Sequence, residues 1–199
     1  MDTNTLMQAV LDRLFIELEA SGRHVHLTKE QAQQLFGHAL TPKRELSQPG
    51  QFLAHERLTV RGPKGEFTNV AVLGPEREEA QVEISLTDGK TLGITPPVRL
   101  SGDTAGTPGA TLITQRGQIV LERGVIAAKR HIHMTPQKAQ QLGLRDRQTV
   151  RLQTFTGRPV IFSDVVVRVG PKFADYVHLD YDEANACGLQ PGDLGRILS

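Results

Sequence analysis

One polar position recurs four times along the chain, each time ahead of the same short pattern. His26 is followed by five residues, then Ala32, two more residues and Leu35. His133 leads in the same way to Ala139 and Leu142, and His178 leads to Ala184 and Cys187. The last two copies lie 45 residues apart and stay in step, so that Gly143-Leu144 matches Gly188-Leu189. Glu83 fits the frame as well, nine residues before Leu92, with Gly93-Ile94 following. Each unit reads as a strand, a ligand-type residue, a turn or short helix, and an apolar residue beside glycine. Two such units per barrel predict two related barrels from the four copies.

The rest of the chain supports a mainly β fold. Short β-rich runs are Leu58–Val60, Val70–Leu73, Val82–Leu86, Ile119–Leu121, Thr149–Gln153, Pro159–Val169 and Asp175–Leu179, punctuated by Gly-Pro and Pro-Gly turns. Short helices are expected near Lys29–Leu35, Pro136–Leu142 and Asp182–Ala186. Many short strands with few helices predict two tandem, double-psi-like β-barrels with short capping helices rather than a doubly wound sheet. The segment Gly102–Gly109 is the most linker-like.

Residues 4–14 read as an N-terminal helix: Asn4 or Thr5 can cap it, and Leu6, Val10, Leu14 and Leu18 recur at i+4. A helix packed on the body and a free amphipathic tail that recruits a partner both satisfy this pattern. Alternation over Phe15–Glu19 then marks a strand.

Composition removes several function classes. The 199 residues carry 23 Lys+Arg against 22 Asp+Glu, so no phosphate-tracking nucleic-acid surface is expected. The single cysteine, Cys187, excludes a disulfide framework and a cysteine zinc finger, and fits a reducing, cytoplasmic compartment. No apolar run approaches the ~20 residues of a membrane helix, and no signal peptide is evident. There is no glycine-rich strand-to-helix phosphate loop and no Gly-x-Ser-x-Gly elbow. Cys187 occupies a Leu position of the repeat, which marks it as a buried hydrophobe rather than a nucleophile.

The chemistry concentrates in two near copies, Arg23-His24-Val25-His26 and Arg130-His131-Ile132-His133. His-x-His on a strand puts both imidazoles on one face, where they can chelate one divalent ion. Such pairs also occur at strand ends with no metal role; here each opens the same repeated pattern. Third donors are available at the equivalent positions Glu83 and His178. Glu83 lies opposite the core-facing Val82, Ile84 and Leu86, and His178 lies between Val177 and Leu179. The economical model holds one ion on His24, His26 and Glu83, and a second on His131, His133 and His178. Three protein ligands leave open positions, as catalytic zinc sites do. These donors suit Zn²⁺, with Co²⁺, Ni²⁺ or Mn²⁺ also compatible. The direction of Arg23 and Arg130 is left open by periodicity. Arg77, after the turn Gly74-Pro75-Glu76, can fork onto a phosphate or an oxyanion, or pair with Glu76, Glu78 or Glu79 at the surface. His38 and His55 fall outside the frame and read as surface or packing residues.

Several long motifs carry a family resemblance. They are Ser21-Gly22-Arg23-His24-Val25-His26-Leu27, Leu40-Thr41-Pro42-Lys43, Leu46–Phe52, Gln81-Val82-Glu83-Ile84-Ser85, Pro96-Pro97-Val98-Arg99 with Ser101-Gly102-Asp103, Ala128–Met134 and Asp182–Ala186. Together they resemble the phosphate propanoyltransferases, the PduL-type phosphotransacylases, over nearly the whole chain after residue 16. The resemblance implies two β-barrel domains with a dinuclear, usually zinc, site between them. It implies interconversion of acyl-CoA plus phosphate with acyl-phosphate plus CoA. It places the metal ligands on the six residues chosen from spacing and the phosphate on Arg77. It places coenzyme A along Ser21, Arg44, Leu73 and Asn185, touching His178. Ala71 stands where a basic residue is expected, so the resemblance implies one CoA phosphate contact fewer. It also implies that the strand near Phe15–Ala20 joins the second barrel. The expected division is then residues 1–14 as N-terminal helix, 23–128 as first barrel, and 15–22 plus 129–199 as a discontinuous second barrel. Family members in bacterial microcompartments carry an N-terminal targeting helix, which residues 4–14 resemble; shell or cargo proteins are the partners this implies, and a homodimer is a further expectation. A metal-dependent acyl-CoA thioester hydrolase and a non-catalytic CoA- or metal-binding scaffold are the alternatives.

Overall fold

A computed structural model describes residues 2, 3, 5, 7 and 14–198. Thr5, Met7 and Leu14 are helical, and the remainder of the helix expected over residues 4–14 lies outside the described residues. The chain divides into two compact units, Gly22–Ala128 and Met1–Ser21 with Lys129–Ser199.

Strand β1 (Ile16–Ser21) comes first. Gly22–Ala128 then contributes β2 (His24–His26), β3 (Pro42–Glu45), β4 (Phe52–Arg61), β5 (Glu66–Gly74), β6 (Gln81–Glu83), β7 (Val98–Arg99), β8 (Ala110–Thr114), β9 (Gly117–Leu121) and β10 (Val125–Ala128). The chain ends with β11 (His131–Met134), β12 (Thr149–Phe155), β13 (Ile161–Val169), β14 (Tyr176–Asp180) and β15 (Leu194–Leu198). The discontinuous unit is a closed six-stranded barrel in the order β1-β14-β11-β13-β12-β15. Closure pairs β15 back onto β1 and leaves no strand edge exposed. The other unit is a nine-stranded sheet in the order β7-β10-β6-β2-β5-β4-β8-β9, with β3 on β4. It curls into a half-barrel, and the Val125 N–H at the start of β10 donates to the Pro108 carbonyl just before β8. The two expected barrels are thus one closed by its ladder and one curled but open.

The sequence repeat is a folding unit with physical start and stop signals. Each repeated polar residue lies two positions before a helix N-cap: Thr28 after His26, Ser85 after Glu83, Thr135 after His133 and Asp180 after His178. The helices are Lys29–Phe36, Leu86–Leu92, Pro136–Leu142 and Tyr181–Cys187. Every cap side chain accepts from the backbone N–H three residues on, satisfying one of the otherwise unpaired first-turn donors. Each helix ends at a left-handed glycine, Gly37, Gly93, Gly143 or Gly188, with φ between 66 and 83°. A side chain is disfavoured at that φ, which explains the glycine of the repeat.

Three local expectations change. The helix Leu86–Leu92 replaces the end of the run Val82–Leu86: Ser85 caps it, and Leu86 is 47 % exposed instead of facing the core. The strands β3, β7, β8, β10 and β15 were not visible as runs, because several are short or lack clear alternation. Gly102–Gly109 is no linker. Thr104 and Thr107 inside it are buried, with Thr104 Oγ1 donating to Glu79 and the Gly124 N–H donating to Thr107 Oγ1.

Each unit has its own core. In the barrel Ile132, Met134, Leu152, Val167, Val177 and Leu179 are fully buried. In the other unit Val25, Leu27, Leu35, Val72, Leu92 and Leu112 are. Each such side chain contributes about 1.5–3 kcal/mol of burial free energy. Cys187 belongs to the barrel core, as its repeat position requires. Outside the cores, Glu56 anchors the entry to β3. Its carboxylate accepts from Thr41 N–H at 3.0 Å and from Thr41 Oγ1 at 2.6 Å. Burial pushes its pKa up, but the Thr41 hydrogen bonds outweigh this and lower it. A depressed carboxylate stabilises the fold above its unfolded pKa and loses that contribution as pH falls through its folded pKa. The expected result for Glu56→Gln is a loss of about 1–2 kcal/mol in urea unfolding at pH 7. That difference should narrow below pH ~4; a constant difference at both pH values would remove the carboxylate's charge from the explanation.

Candidate active site

The two His-x-His strands occupy equivalent places in their units. β2 runs parallel to β5 and antiparallel to β6, and β11 runs parallel to β13 and antiparallel to β14. The registers match as well: His24 faces Glu83 and His131 faces His178. Alternation sends Val25 and Ile132 into the cores and leaves the imidazoles on the opposite face. That face is covered too, since His24, His26, His131 and His133 are at most 7 % exposed. The result is two clusters, His24/His26/Glu83 and His131/His133/His178. In each, the possible ligand atoms all lie within 4.8 Å of one another.

The hydrogen bonds prepare the first cluster for a cation. His24 Nδ1 lies 2.8 Å from the Gly22 carbonyl, an acceptor only, so Nδ1 carries a proton and Nε2 points inward. Nε2 of His24 and Nε2 of His26 are 3.1 Å apart, and Glu83 Oε1 is 3.7 and 3.9 Å from them. Burial lowers the pKa of His24, but Glu83 and the Gly22 carbonyl outweigh it and the net shift is upward. His26 moves well below its ordinary value, through burial first and then through the positive charges of His24 and Arg77. Burial would raise Glu83; the two histidines and Ser101 overcome that and hold its carboxyl far below the usual carboxylate range. Two converging nitrogen lone pairs and a carboxylate are a donor set that fits a divalent transition metal. The second cluster has the same construction. His131 Nδ1 lies 2.8 Å from the Lys129 carbonyl, and the His131 and His178 rings stack at 5.1 Å. Each triad can hold a metal ion.

Arg77 is drawn into the first cluster. Its N–H donates to the Leu27 carbonyl at 2.8 Å, which holds the turn after β5 against the end of β2. Its Nη1 donates to Ser101 Oγ at 3.1 Å. Ser101 Oγ donates to Glu83 Oε1 at 2.8 Å, and Gln81 Nε2 reaches both Ser101 Oγ and Glu83 Oε1. Of the surface partners considered, Glu76 accepts from the Leu40 N–H and Glu79 from Thr104 and Arg123.

Gln81 and Ser101 join the site in addition to the residues expected from the sequence. Gln81 shares the pleat face of Glu83 at i−2, a readable signal; Ser101 arrives from a loop and carries none. The open direction of the two arginines is settled: Arg23 turns to Asp88 and Arg130 to Glu183. The expected CoA residues fall in two groups. Ser21 and His178 lie on the paired strands β1 and β14, with Asn185 exposed on the following helix. Arg44 on β3 and Leu73 on β5 flank Leu53 of β4. His38 is largely exposed beside Glu56, and His55 is exposed.

A family model of phosphate propanoyltransferases matches residues 17–190. The chain belongs to the phosphate propanoyltransferase family. It is 52 % identical over 203 residues to the phosphate propanoyltransferase of Enterococcus faecalis, covering 98 % of this chain and 96 % of that one. It is 49 % identical to that of Clostridioides difficile, with the same coverage of both chains. It is 53 % identical to that of Thermotoga maritima, over 89 % of this chain and 86 % of the relative. The chain is therefore an enzyme of the phosphotransacylase class. Both triads, Arg77 and all the residues that hold them lie inside the matched region.

Proposed function

We propose that this chain moves an acetyl or propanoyl group between coenzyme A and inorganic phosphate, with a zinc ion on each triad. The observation that carries the reading is the pair of buried triads, one of them tied through Ser101 to Arg77. The nitrogen-rich donor sets suit Zn²⁺. Bound divalent ions would supply Lewis acidity and positive charge for phosphate and for the oxyanion of the addition step.

The chain's own groups do the rest. Arg77 presents a planar fork of donors to a phosphate oxygen, and its charge already lowers the proton affinity of His24 and His26. Ser101 and Gln81 keep that guanidinium and the Glu83 carboxylate in one network, so phosphate is held where Glu83 is fixed. Holding phosphate replaces its water shell with fixed donors and turns a bimolecular attack into one within a complex. A phosphate oxygen adds to the thioester carbonyl, the carbon–sulfur bond breaks, and CoA leaves as thiolate. Ser21, Arg44, Leu73, His178 and Asn185 are the residues that the family resemblance offers for CoA. No covalent acyl-enzyme is needed, and Cys187 is fully buried in the core. The same reading puts the enzyme in the cytoplasm, with residues 4–14 as the contact to a microcompartment shell or cargo protein, on the strength of their likeness to targeting helices.

Thiol release from acetyl-CoA and propanoyl-CoA, measured with and without phosphate, tests this. Release is expected only with phosphate, with one acyl-phosphate formed per thiol. Phosphate-independent release would identify a thioester hydrolase instead, and no release by metal-loaded protein would leave a binding scaffold.

A further inference from the structure

We infer that Arg23 and Arg130 are positioning residues that aim the two His-x-His pairs, each through an acidic residue on the helix that follows the third ligand. The inference rests on the metal reading above.

The same device is built twice. Arg23 precedes His24, and its Nε and Nη2 fork onto Asp88 Oδ2 and Oδ1 at 3.0 and 2.6 Å. Arg130 precedes His131, and its Nη1 donates to Glu183 Oε1 at 2.7 Å while its Nε donates to the Ser163 carbonyl. Asp88 follows Glu83 by five residues, and Glu183 follows His178 by five. Each guanidinium also lies over a phenylalanine of the parallel neighbour strand, Phe67 at 4.1 Å and Phe162 at 5.8 Å. Both rings sit four residues before the register partner of the first histidine, Ala71 for His24 and Val166 for His131. The two units differ in most other residues, including the chemistry of the third ligand, yet keep this arginine, acid and ring.

The placement explains what the clamp does. Each arginine is the residue between a histidine and the carbonyl its Nδ1–H uses: Gly22 for His24, Lys129 for His131. Pinning the arginine fixes that carbonyl, which fixes the tautomer and presents Nε2 to the ion. The acid is also the third residue of its helix and accepts from the N-cap N–H, Ser85 for Asp88 and Asp180 for Glu183. Those caps lie two residues after Glu83 and His178. One carboxylate therefore ties the strand of the first two ligands to the strand of the third. The Arg23–Asp88 pair is partly sheltered, with the Asp88 side chain 8 % exposed, so it is held more firmly than a surface ion pair.

Zinc content and zinc transfer to a chromogenic chelator, measured on the full-length enzyme, test the clamp. Asp88→Asn is expected to weaken one of two zinc ions about 10–100-fold and to leave the other at its wild-type affinity. Glu183→Gln should do the same to the other ion. Asp88→Glu, which keeps the carboxylate, should restore most of the affinity. Arg23→Lys and Arg130→Lys, which keep charge but lose the fork, serve if an acid variant does not fold, and should loosen the same single ion. Wild-type zinc retention in folded variants would overturn the inference, as would equal loosening of both ions with a lowered melting temperature. Absence of zinc from the wild-type enzyme would instead overturn the metal reading itself.

Discussion

Stripping the enzyme with a strong chelator is expected to lower phosphate-dependent thiol release at least ~1,000-fold, and zinc should restore it. A thousandfold loss corresponds to about 4 kcal/mol of transition-state stabilisation, within what one Lewis-acid centre supplies. The ligand sets make the test specific to each unit. Glu83→Gln keeps the shape of the side chain but removes the one carboxylate among the three candidate donors of its cluster. It should lose one of two zinc ions and most of the activity, while the barrel triad keeps its own. His131→Ala should do the converse. Gln81 Nε2 and Ser101 Oγ both donate to Glu83 Oε1, and the amide oxygen in Glu83→Gln can still accept from them, so the loss falls on the ion rather than on this network. Full turnover by rigorously metal-free protein would end the proposed mechanism.

Arg77→Ala should lower kcat/KM for phosphate by ~10²–10³, or about 3–4 kcal/mol, while the KM for acyl-CoA moves little. The backbone N–H of residue 77 holds the turn through the Leu27 carbonyl, and alanine keeps that bond. Arg77→Lys should recover only part of the loss. An ammonium supplies charge but no planar fork, and it cannot reach phosphate and Ser101 in the same geometry. Initial rates across a phosphate series separate the two effects. An unchanged phosphate dependence in Arg77→Ala would take this residue out of the site.

All six candidate ligands are legible in the sequence, and the reason is geometric. A strand residue two positions ahead of a capped helix points the same way in each repeat, so His26, Glu83, His133 and His178 share a frame despite their different chemistry. The glycines that close three of the helices, Gly93, Gly143 and Gly188, are legible for the same reason, while Gly37 falls one residue outside the frame. Strands such as β7, with two residues, and β3, with every residue exposed, carry no periodicity to read. The helix Leu86–Leu92 was hidden by Gly89 within it and by Leu86 continuing an apparent alternation. Ser101 was invisible as a site residue because its role depends on a loop folding back 18 residues to Glu83.

Repetition, capping and alternation are local rules, and by themselves they determined the mainly β class, the repeat frame and the six candidate ligands. What the tertiary structure alone decided is which strands become neighbours and where the long side chains end. The pairing of β2 with β6 and of β11 with β14 brings Glu83 opposite His24 and His178 opposite His131. The same pairings turn Arg23 and Arg130 away from the imidazoles and onto Asp88 and Glu183, 65 and 53 residues distant. Such contacts carry no sequence period, because they follow from closing the sheet and not from the spacing of residues along it.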